Sequence, residues 1–158
     1  GIGEHPTQAL LDLFTIMDFK KQPDGLTITL VGDLVNGRTV HSLAKLLALY
    51  GAADLRLELV SPTILRAPAS VIEFARSRGV EVNEHESLDA VIGRSDVIYW
   101  TRVQQERFTD PDEYEAIASR FVMTPQVLAA APDRHDYAWE LAEFLLGDAV
   151  QWNVLDPL

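Results

Sequence analysis

Two arginines carry the most chemistry in this sequence. Arg38 comes shortly after the β-rich run Leu26–Val31, and Arg102 comes two residues after the apolar run Val97–Trp100. In open parallel sheets, ligands bind beyond the carboxyl ends of the strands. Both guanidinium groups therefore belong at one edge of one sheet, and together they describe a pocket able to hold a dicarboxylate through forked contacts. Arg38 also stands at the start of a predicted helix. The helix dipole there favours an anion, so a cation is out of place as a helix stabiliser and points to a ligand. The competing assignments are ordinary ion pairs, Arg38 with Asp33 and Arg102 with Glu106. Gln104 adds an uncharged donor and acceptor beside Arg102; a solvated loop glutamine is the alternative.

A second constellation is His5-Pro6-Thr7-Gln8. A histidine just before a proline-started helix can reach a ligand with its ring while the helix N-terminus attracts negative charge. A plain capping arrangement is the alternative. Other chemistries find no support. Gly32 and Gly37 do not fit a G-x-G-x-x-G spacing, and there is no G-K-[ST] or G-x-S-x-G segment. The four histidines, His5, His41, His85 and His135, are scattered, and there are no cysteines. No metal and no cofactor are expected. His41 is placed on the polar side of its helix, toward solvent or a neighbouring subunit, and His85 and His135 in loops.

These residues need elements to hold them. The spacing predicts helices over 6–20, 39–50, 69–78, 110–119 and 137–146, with shorter ones after Ser87 and Thr124. The apolar face of the first is read as Ala9, Leu10, Leu13, Phe14 and Met17. Strands are predicted at 26–31, 55–60, 80–82, 97–100, 121–123 and 150–155. Strands alternating with helices give an α/β fold: an open, mostly parallel, doubly wound sheet of about five strands with helices on both faces, Rossmann-like. The length of 158 residues fits one domain, and 47% apolar against 23% charged residues gives an ordinary core. A net charge of −11 repels phosphate backbones, so nucleic acid is not an expected partner. No apolar run approaches the ~20 residues of a membrane helix, and the first residues do not resemble a signal peptide. The expected location is the cytoplasm. The chain stops at Pro157-Leu158, one residue past a predicted strand, where a functional loop is expected; the expectation is a piece of a larger protein.

Three segments together resemble aspartate carbamoyltransferases. Gly3-Glu4-His5-Pro6-Thr7-Gln8-Ala9-Leu10-Leu11-Asp12-Leu13 is similar to their H-P-T-Q-A-L-L-D helix. Gly32-Asp33-Leu34 with Gly37-Arg38-Thr39-Val40-His41-Ser42-Leu43 resembles G-D-L-x-x-G-R-T-V-H-S-L, and Thr101-Arg102-Val103-Gln104-Gln105-Glu106-Arg107-Phe108 resembles T-R-V-Q-x-E-R-F. The match runs from Gly1 to about Ala130. The resemblance implies the aspartate-binding domain of an enzyme that moves the carbamoyl group of carbamoyl phosphate to the amine of L-aspartate, in pyrimidine biosynthesis. It implies His5 and Gln8 on carbamoyl phosphate, and Arg38, Arg102, Gln104, Pro157 and Leu158 on aspartate, with His5 and Arg38 as the catalytic pair. It also implies a carbamoyl-phosphate domain and a homotrimer.

The sequence departs from the family at Val35, where many relatives carry lysine, and at Asp156, where histidine is usual before Pro-Leu. Residues 131–149 diverge. The S-T-R-T loop that grips carbamoyl phosphate is absent, so the 158-residue chain is expected to be inactive alone. An ornithine-type or other amino-acid carbamoyltransferase, and a non-catalytic binding or assembly module, are the alternatives.

Overall fold

Residues 4–103, 105 and 108–131 are described by the computed structural model. Four strands, β1 (Thr27–Val31), β2 (Arg56–Val60), β3 (Glu81–His85) and β4 (Val97–Trp100), pair in parallel in the order β3-β2-β1-β4. The helices are α1 (Pro6–Lys20), α2 (Arg38–Tyr50), α3 (Ala69–Ser77), α4 (Pro111–Ala118) and α5 (Pro125–Ala130), with 3₁₀ turns at Thr63–Leu65, Leu88–Ala90 and Ile92–Arg94. Every residue of β1 is buried, as expected of a central strand covered on both faces.

Side chains alternate across the sheet. Ile28, Leu30, Leu57, Leu59, Val82 and Tyr99 face one way and pack with Ala9, Leu13 and Ile16 of α1, with Val40, Leu43 and Leu47 of α2, and with Val71, Ile72 and Ala75 of α3. Val31 and Val60 face the other way, against Val91, with Leu88, Ile98, Trp100 and Phe121 around them. Among the described residues this second face is covered by Leu88, Val91 and Phe121, and α5 touches the turn at Ile92–Arg94.

Local sequence explains most boundaries. Pro6 opens α1 where a missing N–H costs nothing. Asp110 caps α4 by accepting from the Asp112 N–H at 2.9 Å, and the Thr124 hydroxyl accepts from Val127 N–H at 3.2 Å before α5. Some expectations need correction. Residues 121–123 form no strand: so short a run finds no partner strand among the described residues, and Phe121 packs on the second face. The sheet so described has four strands; the predicted helix at 137–146 and strand at 150–155 lie outside the described residues. β3 begins at Glu81, because the Val80 N–H is still bonded to Ala75 at the end of α3. The inner face of α1 is rotated from the predicted one. It holds Ala9, Asp12, Leu13 and Ile16, while Leu10 is 58% and Phe14 69% exposed.

Candidate functional site

The strand order decides where the site lies. From β1 the chain winds outward through β2 and β3, then returns to place β4 on the opposite side of β1. The order reverses between β1 and β4, and the crevice at such a reversal is where open α/β sheets bind ligands. The two strand ends are clamped together there. Thr101 donates to the Val31 carbonyl through both its N–H, at 2.8 Å, and its hydroxyl, at 3.0 Å. Gly32 permits this approach: its φ is +113°, and a Cβ on it would stand 2.1 Å from the Thr101 carbonyl oxygen.

Beyond this clamp lies a cleft of about 170 Å³, lined by His5, Asp33, Asn36, Gly37, Arg38, Thr39, Thr101 and Arg102. That is below the roughly 300–1,000 Å³ of drug-sized sites and suits part of a small metabolite. The loop from Asp33 to Gly37 is held from several sides. The buried Asp33 carboxylate accepts from the Asn36 N–H at 3.0 Å and from its side-chain amide at 3.1 Å. The N–H groups of Leu34 and Val35 both donate to the Leu65 carbonyl at 3.0 Å. His41 Nε2 donates to the Leu34 carbonyl at 2.7 Å, so His41 is half-buried and braces the loop instead of facing solvent. A Cβ on Gly37 would lie 2.7 Å from the Asp33 carbonyl oxygen, which ties glycine to the tight entry into α2.

His5 is fixed as firmly as the loop. Its N–H donates to Ser42 Oγ on α2 at 2.8 Å, and Ser42 in turn donates to Glu4 at 2.6 Å. Lys45 pairs with the same Glu4 carboxylate, and these two partners hold Glu4 below the usual carboxylate range. The His5 ring caps α1: Nδ1 accepts from the Gln8 N–H at 3.3 Å. An accepting Nδ1 carries no proton, so the proton of the neutral ring is on Nε2, which is then a donor.

The structure therefore brings His5, Arg38 and Arg102 to one cleft. Gln8, one turn into α1, is not among the residues that line the cleft. Its Nε2 donates to Asp12 Oδ1 at 2.9 Å. Asp12 is fully buried, and burial raises its carboxyl above the ordinary range, against the pull of Gln8, Tyr99 and His5. Burial likewise raises the Tyr99 hydroxyl well above the usual tyrosine range; Tyr99 reaches both Thr39 and Asp12. Gln104, Pro157 and Leu158, like the departure at Asp156, lie outside the described residues. Val35 lies on the cleft loop, partly exposed, and is not among the lining residues. Sequence reasoning missed Asp12, Ser42 and Tyr99. Asp12 had a signal: it is an acid on the helical stripe with Ala9, Leu13 and Ile16, four residues from Gln8.

His85 also departs from its expected loop. It ends β3 and bonds through Nε2 to the buried Glu58 at 2.6 Å, while Arg94 pairs with the same carboxylate at 3.0 Å. This cluster lies on the second face of the sheet, away from the cleft.

Comparison with known proteins bears on this arrangement. The sequence pattern of the aspartate/ornithine carbamoyltransferase Asp/Orn binding domain matches residues 24–136. The aspartate carbamoyltransferase catalytic subunit of Methanocella arvoryzae is 50% identical over 130 residues, 82% of this chain and 41% of that protein. The multifunctional protein CAD of Squalus acanthias is 50% identical over 128 residues, 81% of this chain and 6% of that protein. Among solved structures, the catalytic subunit of M. jannaschii aspartate transcarbamoylase superposes with a TM-score of 0.76 at 36% identity, covering 93% of this chain and 50% of that one. The Trypanosoma cruzi aspartate transcarbamoylase in complex with carbamoyl phosphate and aspartate gives 0.71 at 37% identity, covering 84% and 42%. The chain thus spans half or less of these relatives. It belongs to the aspartate/ornithine carbamoyltransferase family, of which it carries the Asp/Orn binding domain.

Proposed function

We propose that this chain is the aspartate-binding half of an aspartate carbamoyltransferase, working with a carbamoyl-phosphate domain in a cytoplasmic homotrimer. The observation that carries the reading is the convergence of Arg38, Arg102 and His5 on one cleft at the β1/β4 reversal. Two guanidinium groups suit the two carboxylates of L-aspartate. They leave its amine free to attack the carbonyl carbon of carbamoyl phosphate. The new C–N bond forms, the C–O bond to phosphate breaks, and the amine proton leaves with the phosphate. As the carbonyl oxygen gains charge, the Nε2–H of His5 donates to it. Arg38 holds one carboxylate, with Arg102, and with Gln104 beside it, on the other. Much of the acceleration comes from holding two reactants in line.

The complete protein is the material for the test. Arg38→Ala and Arg102→Ala each raise the KM for aspartate at least about tenfold, the loss of a forked charge-assisted contact, with the KM for carbamoyl phosphate little changed. A panel of aspartate, ornithine and N-acetylornithine separates this reading from the sister reactions; turnover with ornithine and none with aspartate overturns it. The 158-residue chain alone shows no normal turnover, because the carbamoyl-phosphate loop is not within it.

A further inference from the structure

Arg38 opens α2 at the end that the helix dipole does not favour for a cation. The residue before it, Gly37, has no side chain with which to cap the helix. The direction of the guanidinium group therefore depends on the loop that leads into it, Leu34 to Gly37. One residue ties that loop at both ends. His41 lies one turn past Arg38. Its N–H donates to the Gly37 carbonyl at 3.0 Å, and its ring Nε2 donates to the Leu34 carbonyl at 2.7 Å.

The ring bond is demanded by burial. Leu34 is fully buried, so its carbonyl needs a partner inside the protein. A carbonyl oxygen can only accept, which places the proton of the neutral His41 ring on Nε2. The middle of the loop is closed separately, by the Asp33 carboxylate on the Asn36 N–H and side-chain amide. Ser42, next along α2, holds the His5 N–H at 2.8 Å. Adjacent residues of one helix thus serve different walls of the cleft: Ser42 the His5 wall, and His41 the Arg38 wall.

We infer that His41 is a positioning residue, which brackets the loop before Arg38 and so sets the approach of its guanidinium group to a substrate carboxylate. His41 is not among the residues that line the cleft, so it acts through the backbone of residues 34–37. Its effect falls on the substrate that Arg38 grips and not on the partner reactant. That selectivity rests on the proposed function; the bracketed loop does not. A forked contact needs both nitrogens aligned with the carboxylate, so a small turn of the loop is costly there. A side chain that only stabilised the fold would not single out one substrate.

Two measurements test the inference. In the 158-residue chain, the His41 ring nitrogens, assigned by their loss in His41→Gln, are observed by NMR with the ring neutral. Nε2 carries the proton and Nδ1 does not. A ring that averages between its two tautomers overturns the brace. In the complete protein, His41→Ala raises the KM for aspartate about fivefold, the scale of one net hydrogen bond, and leaves the KM for carbamoyl phosphate unchanged. His41→Gln, whose amide can donate to the same carbonyl, recovers most of that rise. His41→Asn, polar but too short to reach, does not, and it takes the place of His41→Ala if that variant does not fold. In an Arg38→Ala background the His41 substitution adds nothing. Equal rises in both KM values, a Gln variant no better than Asn, or a full effect without Arg38 each overturn the positioning role. A wild-type complete protein that does not transfer carbamoyl groups overturns the function and the selectivity, and the spectrum then decides the bracketed loop alone.

Discussion

Two buried carboxylates sit on opposite faces of the same sheet. Glu58 points to the second face, where His85 meets it at 2.6 Å and Arg94 at 3.0 Å, one on each oxygen. Asp12 lies on the first face, with the Gln8 amide on one oxygen, the Tyr99 hydroxyl within reach, and no ion pair among the described residues. Burial costs both carboxylates solvation, but only Glu58 recovers it from opposite charge. The contrast separates a buried carboxylate compensated by opposite charge from one held only by neutral partners. Well-compensated polar clusters hold structure together.

Substitution should break this symmetry. Glu58→Gln removes the charge between His85 and Arg94 and destabilises the chain by about 2 kcal/mol, the worth of charge-assisted hydrogen bonds in a buried setting; urea denaturation at neutral pH reads it. Asp12→Asn behaves oppositely. It changes stability by less than about 1 kcal/mol, toward stabilisation, because it removes a charge that burial disfavours.

The pH dependence of that second difference sharpens the comparison. Asp12 has a raised carboxyl in the folded chain, so the folded state binds its proton more tightly than the unfolded state does. Its contribution is therefore most favourable at low pH. It falls as pH rises from the ordinary aspartate range to the raised value, and is constant above. The Asn variant lacks this loss and gains on the wild type across the same window. Parallel stability curves for the two proteins would show that Asp12 is not held above its ordinary value.

Glu4 gives the smallest effect. Its carboxylate is largely exposed and pairs with Lys45 and Ser42, so Glu4→Gln costs no more than about 0.5 kcal/mol by denaturation. Because the same Ser42 holds the His5 N–H, the visible consequence is a change in the His5 ring resonances by NMR, with the fold intact.

Much of the fold was legible because strongly periodic segments announce themselves. The runs that became β1, β2 and β4, and the helices α2 and α3, were read at nearly their observed bounds, since β-branched residues, a proline and a terminal glycine mark them locally. The reading failed where local pattern is ambiguous. On α1 the predicted Ala9 and Leu13 are buried and Met17 packs on the core, but Leu10 and Phe14, which share the helical spacing, are exposed, and Ile16 takes their place. The true inner stripe includes Asp12, an acid that hydropathy counts as solvent-facing. His41 and His85 were misplaced for a related reason. Their partners, the Leu34 carbonyl and Glu58, are seven and twenty-seven residues away. Nothing local to either histidine reveals them.

By itself, the sequence determined the parts: a histidine ahead of a proline-started helix, an arginine opening α2, another just past β4, and a glycine at the end of β1. These are properties of residue type and near neighbours. Tertiary structure alone decided that β4 pairs with β1 on the side opposite β2. That pairing joins segments about seventy residues apart, and it depends on which faces can be buried together. It turns two separate arginines into one cleft, and it brings Tyr99 onto the buried carboxyl of Asp12.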